Sequence, residues 1–159
     1  MDAYFWVAPH LKNKSVLDLG CGRGDGMLLL SFYANKLTGI DNNSTSIGQA
    51  MRHDYFCETG FFNLDLNENL SDFLYTDPPA GHYDVVTAFE TLEHLDNPKQ
   101  VIEAIDWDMF YFAVPYNMPH PLHKHVFTTP EEVKEIIPKV SKMDLLYIKD
   151  EEYRVTLWK

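Results

Sequence analysis

The sequence is short of cysteine, of positive charge and of long apolar runs, and each shortage removes a class of protein. Its two cysteines, Cys21 and Cys57, stand in no C-x-x-C pair. They are too few for a disulfide framework or a zinc ribbon, so a reducing cytoplasm is the expected compartment. Only 13 Lys and Arg face 24 Asp and Glu, a formal net charge of -11. A polyanion would meet a repulsive average field, and the nearest basic clusters, Lys12 with Lys14 and Lys139 with Lys142, are too thin to neutralise several phosphates. A nucleic-acid partner is therefore not expected. No apolar run has the ~20 residues of a membrane span, and the segment from Met1 to His10 sets Asp2 and His10 around a short aromatic cluster rather than a signal sequence. A soluble chain with no membrane partner is expected. Tyr4, Phe5 and Trp6 suit a short helix on the core, with a lid over a ligand as the alternative.

The chain does have the means to build a core. Its 159 residues fit a single domain spanning 1–159, and 45% of them are hydrophobic. Apolar runs with strand character recur at Ser15 to Leu19, Lys36 to Ile40, Tyr83 to Phe89, Met109 to Val114, Leu145 to Lys149 and Tyr153 to Trp158, with a less regular one near Phe61 to Asp65. Between them, helices are expected at Gly26 to Ala34, Ser44 to His53, Pro98 to Ile105 and Pro130 to Val140. This alternation predicts an α/β fold with a mostly parallel sheet. The last two strands are joined only by Asp150 to Glu152, too few residues for a parallel crossover, so they should form an antiparallel hairpin.

One segment carries distinct chemistry: Val16-Leu17-Asp18-Leu19-Gly20-Cys21-Gly22-Arg23-Gly24-Asp25-Gly26, an apolar strand, an acid, alternating glycines and a helix. The glycines let a backbone bend and approach a ligand. The dinucleotide pattern G-x-G-x-x-G fails in both registers, and there is no G-K-S/T phosphate loop. Asp18 and Asp25 would also repel a pyrophosphate. A cationic ligand suits these surroundings better.

The segment closely resembles motif I of class I S-adenosylmethionine (SAM)-dependent methyltransferases, and the resemblance is sharpest from Val16 to Leu95. It implies a Rossmann-like, seven-stranded, mostly parallel sheet with an antiparallel last strand and helices on both faces. It implies SAM as cofactor, held by Asp18, Gly20, Cys21 and Gly22. Asp41 and Asn42 end the second strand about 20 residues beyond the glycine turn, where an acid accepts ribose hydroxyls. Asn63-Leu64-Asp65-Leu66 looks like the family's adenine segment, with Asp65 accepting the amino group and Leu66 packing on the ring, and Phe89 is a further expected cofactor residue. Asp77-Pro78-Pro79 is similar to the D/N-P-P-Y/F signature of amino-group methyltransferases but precedes the fourth strand instead of following it, and is expected to be a loop.

After the fourth strand comes Glu90-Thr91-Leu92-Glu93-His94, similar to the E-x-x-E-H segment of many small-molecule methyltransferases. Residues three and four apart on a helical turn are neighbours, so Glu90, Glu93 and His94 are expected to converge. His125, in a histidine-rich run from His120 to Phe127, is the expected fourth member of a set able to hold Mg2+ or another divalent metal. The combination resembles ubiquinone-biosynthesis O-methyltransferases and small-RNA 3′-terminal ribose methyltransferases, and metal-free relatives as well. In the metal-free version His94 alone serves as general base, with Glu93 beside it. The expected function is methyl transfer to a hydroxyl of a small-molecule acceptor. An RNA 3′-terminal ribose 2′-O-methyltransferase and a non-catalytic SAM-binding protein are the alternatives. With no inserted cap domain in the chain, a partner subunit or oligomer completing the acceptor site also stays open.

Overall fold

The computed structural model describes residues 2–68, 70, 73, 82–148 and 151–159. One sheet contains β1 (Ser15–Leu19), β2 (Lys36–Asp41), β3 (Glu58–Asn63), β4 (Tyr83–Phe89), β5 (Trp107–Pro115), β6 (Lys142–Ile148) and β7 (Glu152–Trp158). The spatial order is β3-β2-β1-β4-β5-β7-β6. Pairing is parallel from β3 through β5 and antiparallel on both sides of β7. Helices among the described residues include α1 (Asp2–Val7), α2 (Asp25–Leu30), α3 (Ser44–Ala50), α4 (Pro98–Ala104) and α5 (Pro130–Glu135).

Side chains alternate along a strand, and this separates two cores. Leu17, Leu19, Val86, Phe110 and Phe112 meet Val101 and Ile102 of α4 and Val133 of α5 on one face. Val16, Val85, Phe89, Tyr111 and Ala113 meet Ala3 and Val7 of α1, Met27 and Leu30 of α2 and Ile47 of α3 on the other. Helices thus cover both faces. Burying a side chain such as Leu17 or Phe112 completely contributes about 1.5 to 3 kcal/mol. The same alternation turns Asp18 and Thr87 towards α1 and α2, beneath apolar cover.

β1 and β4 occupy the residues expected for them, and the helix starts at Ser44, Pro98 and Pro130 also agree. Three helices end well short of their expected last residue, and α4 ends one residue before Ile105. α5 was expected to reach Val140 but stops at Glu135, because Pro138 lacks an N–H and drives the residue before it out of helical geometry. After α2, Ser31 to Ala34 form turns, with the Ser31 hydroxyl donating to Leu28 O. After α3, i to i+3 bonds from Arg52 N to Gln49 O and His53 N to Ala50 O tighten the chain. β3 lies N-terminal of its expected place because it pairs in register with the whole of β2, from Lys36 with Glu58 to Asp41 with Asn63. The Asp77–Pro79 loop, Asp150 in the hairpin connection and Lys149 fall outside the described residues.

The sheet extends from β1 to β2 and β3 in one direction and to β4 and β5 in the other. A crevice therefore opens above the carboxyl ends of β1 and β4, where an open α/β sheet binds ligands.

Candidate active site

Gly20, Gly22 and Gly24 have φ of 74°, 55° and 79°, so every second residue of the turn after β1 is left-handed. That is the reason for glycine at this spacing. Gly20 has a second constraint: a Cβ there would lie 2.2 Å from Thr91 Oγ1. Gly20 N and Cys21 N both donate to Ile40 O, at 2.8 and 2.9 Å. Gly22 N donates to Asp41 Oδ2 at 2.9 Å, and Asn43 N to Asp41 Oδ1 at 2.8 Å. Each carboxylate oxygen keeps a lone pair for a ligand hydroxyl.

Above this turn lies a cleft of 530 Å³ lined by Gly20, Asp41, Asn42, Asp65, Leu66, Glu90, Thr91 and His94, with Leu122 and Lys124 reaching in from the 117–129 loop. Five of the expected cofactor residues therefore share one wall: Gly20, Asp41, Asn42, Asp65 and Leu66. Asp65 also shapes that wall, its Oδ1 accepting from Asn67 N at 2.8 Å. Gly22 contributes through its bond to Asp41.

The other three expected cofactor residues lie behind the cleft. Asp18 is fully buried, its oxygens taken by the hydroxyls of Thr87 at 2.6 Å and Tyr4 at 2.9 Å. Loss of water pushes its carboxyl up to about 7, against the lowering effect of those two bonds. Cys21 is buried beneath the turn, and burial likewise pushes its thiol up. Phe89 packs on Tyr4 and lines a second cavity of 650 Å³ with Asp2, Ala3, Glu90, Pro115, Met118 and Glu152. Glu90 lines both cavities.

The expected metal set is only partly assembled. Glu90 leaves the strand at φ 54° and is exposed, and the short 3-10 turn Leu92–His94 places Glu93 and His94 together without it. His94 Nε2 lies 3.8 Å from Glu93 Oε1. The third member is His123: ligand atoms of Glu93, His94 and His123 all lie within 4.8 Å of one another. His125, the expected ligand, turns away instead, its Nε2 donating to Leu95 O at 2.9 Å and its ring stacked on Phe127. The loop backbone causes the exchange. Lys124 N and His125 N both bond to Glu93 O, which fixes the loop so that His123 faces inward.

Glu93 has no exposed surface, and neither of its oxygens has a hydrogen-bond partner among the described residues. Desolvation, with Glu90 adding to it, pushes this carboxyl up to about 8 against the lowering influence of its own nearby backbone N–H. His94 Nδ1 meets Leu122 O at 3.0 Å and His123 Nδ1 meets Met118 O at 2.8 Å. A carbonyl only accepts, so both Nδ1 atoms carry the proton and both Nε2 atoms keep a lone pair in the neutral ring. This is how histidines that ligate metals or act as bases are ordinarily oriented.

Sequence reasoning missed Thr91, Tyr4 and His123. Thr91 is buried and its hydroxyl bonds to Leu19 O at 2.9 Å, joining the two strand ends under the cleft. The glycine at position 20 was its only trace. Tyr4 was visible as part of an aromatic cluster but not as the partner of Asp18. His123 stood in the histidine run, where composition could not choose among His120, His123 and His125.

A methyltransferase-domain family model matches residues 4–106, and the chain belongs to that family. A ubiquinone biosynthesis O-methyltransferase from Paraburkholderia xenovorans is 37% identical over 95 residues, covering 60% of this chain and 39% of that protein. The chain thus spans well under half the length of the curated relatives it matches. Among solved structures, a magnesium protoporphyrin IX methyltransferase from Synechocystis with bound SAM aligns with a TM-score of 0.69 at 15% identity, covering 99% of this chain and 76% of that one. A four-plus-two cyclase aligns with a TM-score of 0.71 at 13% identity, covering 99% and 80%. At these identities the likeness is one of fold, and since one such neighbour is a cyclase, the reaction has to be argued from the site.

Proposed function

We propose that this methyltransferase-family chain binds SAM in the 530 Å³ cleft and transfers its methyl group to a hydroxyl of a small molecule. The observation that supports the reading is one cleft whose lining holds Asp41 and Asp65, acceptors of the kind that ribose hydroxyls and an adenine amino group need, together with the His94 imidazole. The ionic setting agrees with a sulfonium ligand. Among the described residues, Lys124 is the one lysine or arginine on the lining, and it is tied to Asp96 at 2.6 Å. The similarity to proteins named ubiquinone biosynthesis O-methyltransferases supports a hydroxyl acceptor.

Methyl transfer from a sulfonium is an in-line displacement, so alignment and exclusion of water do most of the work. The acceptor sits in the 650 Å³ cavity, which meets the cleft at Glu90. His94 Nε2, with its lone pair held towards the cleft by the Nδ1 bond to Leu122 O, takes the acceptor's proton. Glu93 Oε1 lies buried 3.8 Å from this nitrogen and, when ionised, favours the protonated imidazole that results.

A metal-assisted version is favoured by a separate observation. The two orphaned oxygens of Glu93 and the Nε2 atoms of His94 and His123 suit a divalent cation that takes mixed oxygen and nitrogen donors. Such an ion would polarise the acceptor hydroxyl. In both versions His94 stands at the transferred methyl, with Glu93 buried behind it.

Calorimetry with S-adenosylhomocysteine (SAH) and NAD, followed by methyl release from labelled SAM over a panel of phenols with and without chelator, tests the reading. Saturable SAH binding and transfer to at least one phenol are expected. Binding of NAD with none of SAH would overturn it.

A further inference from the structure

Helix α1 has six residues, too few to hold a helix in water on propensity alone, so its position depends on what docks it. Ala3 and Val7 are buried against the core, and Trp6 stands edge-on to Tyr111 at 5.3 Å. Among the described residues, its one side-chain hydrogen bond to the rest of the fold runs from the Tyr4 hydroxyl to Asp18 Oδ2. The Tyr4 ring lies edge-on to Phe89 at 4.8 Å and forms part of the wall of the second cavity. Gly26, in the first turn of α2, makes room for this ring: a Cβ there would lie 2.3 Å from Tyr4 Cζ. Tyr4 therefore touches both functional halves. Its ring faces the cavity beside Glu90, and its hydroxyl reaches the last acid of β1, two residues before the glycine turn.

We propose that Tyr4 is a positioning residue that joins the acceptor wall to the cofactor turn, so that α1 and residues 20–26 move as one unit and the acceptor cavity takes its shape only with that unit closed. The bond runs to a carboxylate with no exposed surface, whose other oxygen is held by Thr87, so the hydroxyl has no rotating or solvent-exchanged partner. The Gly20–Gly22 end of the turn also has ties to β2 through Gly20 N, Cys21 N and Asp41, which hold the ribose side of the wall, so the Tyr4 contact bears on the Gly24–Gly26 end, where Gly26 packs on its ring. Loss of the Tyr4 hydroxyl should consequently show first on the acceptor side.

Tyr4→Phe keeps the ring and removes only the hydroxyl, and Tyr4→Ala removes both. Hydrogen exchange followed by mass spectrometry on the full chain should show residues 2–10 exchanging about 10-fold faster in Tyr4→Phe, with faster exchange at 20–26 as well, and larger changes in Tyr4→Ala. If the residue were only an apolar plug, Tyr4→Phe would match the wild type in both segments. That result overturns the proposal, as does faster exchange at 2–10 with 20–26 unchanged. The kinetic arm rests on the methyltransferase reading. There Tyr4→Phe should raise the acceptor KM about 5-fold or more while changing SAH affinity less than about 3-fold, and equal losses on both sides would count against the coupling. A wild-type chain that binds no SAH would remove that reading, while the exchange experiment would still decide the role of Tyr4.

Discussion

The two sides of the cleft are built from different materials. On the β1–β2 side the shape is made by backbone: three glycines at positive φ, amides of Gly20 and Cys21 on Ile40 O, and Asp41 gripping two further amides. On the β4–β5 side it is made by side chains, with Glu93 and His94 from the turn after β4 meeting His123 from a loop some 30 positions away. A backbone-built wall depends on a few residues that have no substitute. A side-chain wall is held by many small contacts, and its chemistry can be removed while its shape survives. The first should therefore lose binding when damaged, and the second should lose rate.

The largest expected effect is on rate. Replacing His94 with alanine should slow transfer to a hydroxyl by about 100-fold or more, the ordinary scale of a lost general base, and leave SAH affinity unchanged. His123→Ala and chelation separate the two versions of the mechanism. If a metal is bound, both should imitate His94→Ala and added Mn2+ or Mg2+ should restore only the chelated wild type. If none is bound, chelation changes nothing and His123→Ala costs little. Full activity in His94→Ala under chelation would erase the distinction between the two walls.

Damage to the backbone wall should read out as affinity. Asp41→Ala removes the acceptor of Gly22 N together with the expected ribose contact, and should weaken SAH binding by about 1 to 3 kcal/mol in calorimetry, with little change in the turnover of saturated enzyme. A variant with normal affinity and reduced turnover would reverse the roles assigned to the two sides.

Legibility in the sequence follows the same division. Glycine at alternate positions is demanded by local dihedral angles, so the turn after β1 could be recognised from Gly20 to Gly24 alone. Asp41 followed from its distance to that turn. The strands were legible because burial on both faces makes runs such as Val85 to Phe89 apolar throughout. What could not be read depended on contacts distant in the chain. His123 faces the site only because Glu93 O binds Lys124 N and His125 N. Asp18 left the expected ligand wall because strand alternation and the docking of α1 bury it under Tyr4. Pro138, which ends α5, was a local signal that the expected helix to Val140 overlooked.

A buried carboxyl stands behind each wall, and the two set a pH dependence of stability. Burial holds Asp18 at about 7 and Glu93 at about 8 in the fold, against an ordinary value near 4 when unfolded. The fold then keeps protons that the unfolded chain has released, so stability falls as pH rises from about 4 to about 8 and levels off above that. Asp84 and Glu132, whose hydrogen bonds hold them below their ordinary values, act in the opposite sense, their stabilisation being lost as pH falls below about 4. Thermal melts between pH 5 and 8 should therefore show a falling Tm. Asp18→Asn, which imitates the protonated acid, should match the wild type near pH 5 and exceed it at pH 8. A parallel slope in the variant would show that Asp18 does not carry the effect. Retaining an acid that lowers stability at neutral pH fits a site where a nearby cationic ligand gains from it.

The smallest expected effect separates two histidines that the sequence could not tell apart. His125 stands two residues from His123 in the same loop, yet its Nε2 donates to Leu95 O and its ring stacks on Phe127 at a centroid distance of 6.0 Å. Its contribution is to hold the 117–129 loop against the turn that carries Glu93 and His94, alongside the bond from Lys124 Nζ to Asp96. His125→Ala should thus lower stability by about 0.5 to 1.5 kcal/mol, the ordinary net worth of one hydrogen bond, and reduce turnover no more than about 3-fold through a looser loop. Lys124 N and His125 N would still bond to Glu93 O, since backbone amides survive the substitution, and His123 would still face inward. Side by side, His123→Ala and His125→Ala then report on the two kinds of construction: one tests a group of the proposed catalytic cluster, the other a strut behind it. A loss of activity in His125→Ala as deep as in His94→Ala, with the melting temperature unchanged, would mean that His125 reaches the reacting atoms after all and that the loop adopts a second arrangement when ligand is bound.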